Sequence, residues 1–144
     1  VQAAYELGMM PTTEGALDLK LDLTHAIDGF HGNEHALPIV PLYKDVVELM
    51  AQSGITYTPT LLVAYGGPWG ENFYYTTEEV HDDPKVQRFI PDNIIQARTR
   101  RRPWFRKDEH VFSKLAAQAA KIVRAGGLVG VGAHGQFQGL GYHW

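Results

Sequence analysis

A chain of 144 residues, 44% hydrophobic and 20% charged, is long enough for one domain with a sizeable core and has ordinary globular composition. Its net charge of −3 is too mild to imply a nucleic-acid or membrane partner, and no apolar stretch reaches the length needed to span a bilayer. The absence of cysteine excludes disulfides, thiolate nucleophiles and cysteine-based zinc or iron–sulfur sites, and leaves the compartment open.

Residues 2–7 read as the end of a helix, with Gly8 as its stop. Residues 9–13 are a short strand candidate in which Pro11 is awkward, and Glu14-Gly15 follows as a turn. Leu17, Leu19, Leu21, Leu23 and Ile27, interleaved with Asp18, Lys20 and Asp22, fit a short helix better than an exposed strand. Residues 29–37 read as a strand running into Pro38. Pro41 then suits a first helical turn, Leu42, Val46, Val47, Leu49 and Met50 give an apolar helix face, and Gly54 stops it. Residues 55–63, β-branched and apolar, read as a strand and its exit.

Residues 64–107 read as a long, mostly irregular, lid-like insertion that holds Trp69, Phe73, Tyr74, Tyr75, Trp104 and Phe105, with one short helix near 91–100 starting at Pro91 or Asp92. Residues 108–125 form the clearest helix, capped by Asp108, with Val111, Leu115, Ala119, Ile122 and Val123 as its apolar stripe. Residues 128–133 are a short buried strand that opens into the glycine-rich loop His134-Gly135-Gln136-Phe137-Gln138-Gly139-Leu140-Gly141. Strand and helix thus alternate, which implies a parallel sheet with right-handed crossovers. Four strands cannot close a barrel, and a (β/α)8 barrel takes about 250 residues. The expectation is an α/β fold: one domain over residues 1–144, the size of half such a barrel.

Charge is uneven. Glu6, Glu14, Asp18, Asp22, Asp28, Glu34, Asp45 and Glu48 in the first fifty residues face only Lys20 and Lys44, whereas Arg98, Arg100, Arg101, Arg102, Arg106 and Lys107 gather in one place. Such a run reads as a solvated helix face, since a nucleic-acid patch needs more support. Among groups able to do chemistry, Glu14, His35 and His134 each fall just past a strand, and imidazole and carboxylate are the natural ligands of zinc and related divalent ions. His31, Asn33 and His35 share parity and should point to one side of their strand, with Glu34 on the other. His143 follows the glycine-rich loop and could reach the same mouth. His25, on a helix, reads as a surface residue, and His81 and His110 receive no role.

Gly130-x-Gly132-x-x-Gly135 has the form of a dinucleotide fingerprint, but it does not open a helix and no acidic residue follows at the required distance. Ser53 and Ser113 are the only serines and both sit on helices, which argues against a serine nucleophile.

Four segments carry a resemblance: Thr13-Glu14-Gly15; Ile27-Asp28-Gly29 through Glu34-His35; Tyr57-Thr58-Pro59-Thr60-Leu61; and Gly132-Ala133-His134-Gly135-Gln136 through Gly139-Leu140-Gly141-Tyr142-His143-Trp144. On these the chain resembles the C-terminal half of the barrel of the amidohydrolase superfamily, and within it the amidohydrolases fused to Tol-type β-propeller repeats. The resemblance implies a partial TIM-like (β/α)8 barrel, strands five to eight, and hydrolysis of an amide or other C–N bond by metal-activated water. It implies one or two divalent ions, zinc foremost, with His35 matching the family's strand-six histidine ligand. Glu14 stands where the family has a strand-five histidine, and His134 where it has a strand-eight aspartate. Glu14 would then be a ligand or a group behind one, His134 a base or ligand, and Trp69, Tyr74, Tyr75 and His143 would line the space for a small-molecule or peptide-like substrate. An exported or periplasmic location is implied if the parent protein is of the propeller-fused kind.

The start Val1-Gln2-Ala3-Ala4-Tyr5, with neither an initiator Met nor a signal pattern, reads as cut from something longer. Two readings compete with a hydrolase: a half-barrel that keeps the scaffold as an inactive or ligand-binding module, and a homodimer that covers its open sheet edges.

Overall fold

The computed structural model describes residues 1–63, 67–100 and 105–132. Four strands, β1 (Thr12–Glu14), β2 (Gly32–Glu34), β3 (Thr56–Thr58) and β4 (Leu128–Val129), form one sheet in the order β1-β2-β3-β4, and every pairing is parallel. Each strand therefore lies beside its predecessor, and a helix returns the chain between them: α2 (Leu19–Ile27), α3 (Lys44–Gln52) and α7 (Phe112–Arg124). A further short helix, α1 (Gln2–Glu6), precedes β1. The fold is α/β with a parallel sheet.

The strands are shorter than the sequence suggests, and the backbone gives the reason. β2 is bounded by Gly29 at φ +83° and His35 at φ +70°, left-handed conformations that leave the extended ladder. β3 is bounded by Gly54 at φ +79° and by Pro59, which has no N–H to donate. At α2, Asp18 stands at the N-cap and accepts from the Lys20 and Leu21 amides at 2.9 and 3.3 Å, so the leucine-rich segment is a helix as its charges suggest.

Register divides the sheet into two faces. Asn33 pairs with Tyr57, and Tyr57 with Val129, on the side covered by the helices. There Ala26, Leu37, Leu42, Val46, Met50, Ile55, Tyr57, Ala119 and Ile122 make one core. The opposite face carries Thr12, Glu14, Gly32, Glu34, Thr56 and Thr58; a Cβ on Gly32 would meet both Thr12 and Glu34. Apart from Leu128 it is polar, and at Thr12, Glu14 and Leu128 it is exposed to solvent.

The last helix departs from expectation at its start. Asp108 belongs to a separate 3-10 turn, Lys107–Glu109, and α7 begins at Phe112. Its buried stripe is Phe112, Leu115, Gln118, Ala119 and Ile122, while Val123 is exposed. Gln118 is tolerated in this stripe because its Oε1 accepts from the Leu42 amide at 2.9 Å, which secures the loop entering α3.

The region 64–107 is not irregular over its described part. It folds as α4 (Gly70–Thr77), a 3-10 turn (Val80–Asp82), α5 (Pro84–Phe89) and α6 (Asp92–Arg100). Asp83 caps α5 through the Lys85 and Val86 amides, and Pro84 occupies its first turn. α6 starts at Asp92, as its sequence suggests, with the Pro91 carbonyl accepting from Ile94 and Ile95. Tyr75, Val80, Val86 and Ile95 form a small core of their own.

Ile122 is fully buried at the centre of the main core. Ile122→Ala should lower unfolding stability by about 2–5 kcal/mol, read from urea denaturation; Val123→Ala, one residue away and exposed, should change it by less than about 0.5 kcal/mol.

Candidate functional site

Parallel order puts the C-terminal ends of all four strands at one edge of the sheet, where α/β proteins place their chemistry. Glu14 is the last residue of β1 and His35 follows β2 directly. Their side chains meet: His35 Nε2 lies 2.8 Å from Glu14 Oε1. The carboxylate can only accept, so this contact has Nε2 carrying the proton.

Strict alternation would send His35 to the helix side with His31 and Asn33. The structure corrects this. Asn33 and His31 do turn toward the helices, where Asn33 is completely buried and the His31 ring lies 5.2 Å from that of Tyr5. At His35, however, φ of +70° breaks the pleat, and the imidazole swings back over the end of β1. A positive φ on a non-glycine residue is strained and marks positions under functional or packing constraint.

Backbone bonds continue past the strand ends and fix this rim. The Gly15 amide donates to the Glu34 carbonyl at 2.7 Å, and the His35 amide donates to the Thr58 carbonyl at 3.0 Å. Beyond β4, the Gly130 and Gly132 amides donate to the carbonyls of Tyr57 and Pro59. A Cβ on Gly132 would lie 2.6 Å from Thr60 Oγ1, so the chain leaving β4 hugs the exit of β3.

A buried polar group lies behind the β1 end. Asp22, 1% exposed on α2, accepts from the Ala16 amide at 2.8 Å through Oδ1. It thereby anchors the turn that carries Glu14 into α2. Burial pushes its carboxyl above the usual carboxylate range; the Ala16 hydrogen bond and the nearby His25 pull the other way, and Asp18 adds to the rise. Its Oδ2, and both amide atoms of Asn33, have no hydrogen-bond partner among the described residues. Sequence reasoning gave Asp22 and Asn33 no role in the site. Their polar character within otherwise apolar segments was the available signal.

The side chain of Glu14 is 77% exposed and that of His35 is 15% exposed, so the pair contributes little to stability but offers an accessible carboxylate against a held imidazole. Among the described residues, no three His, Cys, Asp or Glu side chains come together in a group that could hold a metal ion. Glu14 and His35 supply two donors of the right chemistry. His134 and His143 lie outside the described residues, as does Trp104.

Trp69 is half-exposed just before α4. Tyr75 is buried in the insertion's own core, and Tyr74 stacks edge-on against Phe73 and Phe112, where burial and Glu78 push its phenol above the usual range. Packing accounts for both tyrosines. His110, given no role from sequence, is buried, with rings of Phe73 and Phe105 edge-on to it and Thr76 Oγ1 at 3.4 Å from Nε2. His25 is partly buried with its ring edge-on to Phe30, and is not a surface residue. Of the arginine cluster, Arg106 pairs locally with Asp108 and Glu109 on the surface.

No protein-family model, no curated protein and no solved structure matches this chain.

Two consequences of this geometry can be measured. A Cβ on Gly15 would lie 2.6 Å from the Glu34 carbonyl oxygen. Gly15→Ala should therefore push the turn off β2 and cost about 1–3 kcal/mol in chemical denaturation. Asp22 has a raised folded-state pKa, so its contribution to stability is fully present below the unfolded value and is lost as pH rises through the folded value. Asp22→Asn keeps an acceptor for the Ala16 amide but cannot ionise. The melting temperature of the variant relative to the native chain should accordingly rise as pH goes from acid to neutral; a constant difference would show that Asp22 does not titrate abnormally.

Proposed function

We propose that the Glu14–His35 rim is part of a divalent-metal site, zinc foremost, in a metal-dependent hydrolase of the amidohydrolase type that cleaves an amide or other C–N bond. The observation that carries this reading is the 2.8 Å approach of His35 Nε2 to Glu14 Oε1 at the C-terminal ends of two adjacent parallel strands. Consecutive parallel strands with helices on one face are also what half of a (β/α)8 barrel would have, and we read the fold in that way.

In this reading His35 would hold the metal through Nε2, with the single proton of its neutral ring on Nδ1 instead of between Nε2 and Glu14. Glu14 either binds beside it or accepts a proton from the attacking water. When bound, the ion lowers the pKa of water toward neutral and polarises the scissile carbonyl. His35 is the less mobile partner: its amide is tied to the Thr58 carbonyl and its ring is mostly buried. Glu14, exposed, can shift to admit a ligand. His134, two residues past Gly132, is proposed as base or further ligand, and His143 as a substrate contact. Trp69, half-exposed, is proposed to meet substrate; Tyr74 and Tyr75 pack within the insertion.

A second reading keeps the scaffold without the catalysis, as a ligand-binding module. In it the Glu14–His35 hydrogen bond would serve to hold the rim in shape.

Metal content per chain on freshly purified protein separates the two. Near-stoichiometric zinc, manganese or iron is expected, and His35→Ala should remove most of it while the far-ultraviolet circular dichroism stays native. Metal retained by the variant at the original stoichiometry would overturn the ligand assignment, and a native chain free of metal would favour the binding module.

A further inference from the structure

We propose that Asp22 and Asn33 bind one internal water molecule beside Gly15, and that this water joins the segment carrying Glu14 to the segment carrying His35. The argument does not depend on a metal at the rim.

Asp22 is 1% exposed and Asn33 is 0% exposed, so bulk solvent reaches neither. Asp22 Oδ1 accepts from the Ala16 amide. Asp22 Oδ2, and both Oδ1 and Nδ2 of Asn33, have no hydrogen-bond partner among the described residues. Buried polar atoms left in that condition cost about as much as lost hydrogen bonds. The neighbouring core is no remedy: Ala26, one turn after Asp22 on α2, and Tyr57, the register partner of Asn33, both belong to the apolar cluster.

Polar atoms from both side chains gather around one point. A Cβ on Gly15 would stand 3.6 Å from Asp22 Oδ1, 3.6 Å from Asn33 Nδ2 and 2.6 Å from the Glu34 carbonyl oxygen. Glycine thus leaves a notch, walled by a carboxyl, an amide and a carbonyl, that a larger residue would fill. Asp22 and Asn33 flank this notch without bonding each other. Buried polar groups set apart in this way are joined through ordered water in folded proteins.

The donors and acceptors decide what the occupant is. Asn33 Nδ2 donates only, and the Asp22 carboxylate and the Glu34 carbonyl accept. A ligand here must therefore accept one hydrogen bond and donate others, and water does both. It accepts from Asn33 Nδ2, donates to Asp22 Oδ2, and has a second proton for the Glu34 carbonyl, which the Gly15 amide occupies on one lone pair only. A cation would suit the oxygens but face the amide protons, and an anion would face the carboxyl. The position of the site gives the water its effect. Asp22 holds Ala16, two residues past Glu14, and Asn33 lies two residues before His35. A water between them adds a second tie beside the backbone bond from Gly15 to Glu34.

Nuclear magnetic resonance and crystallography on the native chain test this without any variant. A nuclear Overhauser effect between water and the Asn33 side-chain amide protons is expected, with the sign of a long-lived bound molecule. A crystal structure should show a water within about 2.5–3.2 Å of both Asp22 and Asn33. Asp22→Asn removes the charge and keeps the polar atoms, so the water effect should persist, whereas a bound cation would leave. Asn33→Leu, apolar and of similar size, should speed hydrogen exchange at the Ala16 amide by roughly tenfold. A native chain with no water effect at Asn33, or with Asp22 bonded directly to Asn33, would overturn the proposal. So would loss of the occupant in Asp22→Asn, or an Ala16 exchange rate that Asn33→Leu leaves unchanged.

Discussion

Parallel hydrogen bonding that outlasts the strands is the constraint on which this structure rests. The ladders themselves are only two or three residues long, yet the Gly15, His35 and Gly132 amides each bond to a carbonyl on the neighbouring segment just past the strand ends. These bonds tie the exits of β1, β2, β3 and β4 to one another in sequence. A side chain on any of these exits is thereby held at a set distance from the next. Glu14 and His35 are 2.8 Å apart because their backbones are coupled in this way, while the exposed carboxylate adds little stabilisation of its own.

The same rim is supported from behind by a buried polar group that a purely apolar core would not need. Asp22 holds the Ala16 amide at the cost of burying a carboxyl, and Asn33 sits wholly buried beside it across Gly15. Buried polar groups without full partners lower stability. Their position beside Gly15, at the β1 exit, links that cost to the rim: Asp22 anchors the turn that presents Glu14. The core on the helix side, centred on Met50, Ile55, Leu37 and Ile122, supplies the apolar burial that offsets it.

Much of this was legible in the residues, and the places where it was not have physical causes. Alternating strands and helices with short returns implied the parallel sheet, and Glu14 and His35 fell at strand ends as expected. Side-chain parity put His31, Asn33 and His35 on one side of their strand; Asn33 is buried on the helix side, but His35 departs from it, because parity holds only while the backbone stays extended and φ turns positive there. The insertion was read as mainly irregular because α4 begins at Gly70 with no side-chain cap and mixes aromatic with polar residues. The Asp83-Pro84 start of α5 was a readable signal. Val123 was assigned to the core stripe one position out of phase; α7 begins at Phe112, and its register is set by the Gln118–Leu42 bond that no periodicity analysis weighs.

The most direct test of the central claim is anomalous diffraction from crystals grown with zinc. The account predicts a peak between the two side chains, about 2.0–2.2 Å from both His35 Nε2 and a Glu14 oxygen, with the atoms that now share a proton moved apart to admit the ion. No peak at this rim, with the Glu14–His35 hydrogen bond intact while zinc binds elsewhere, would contradict it.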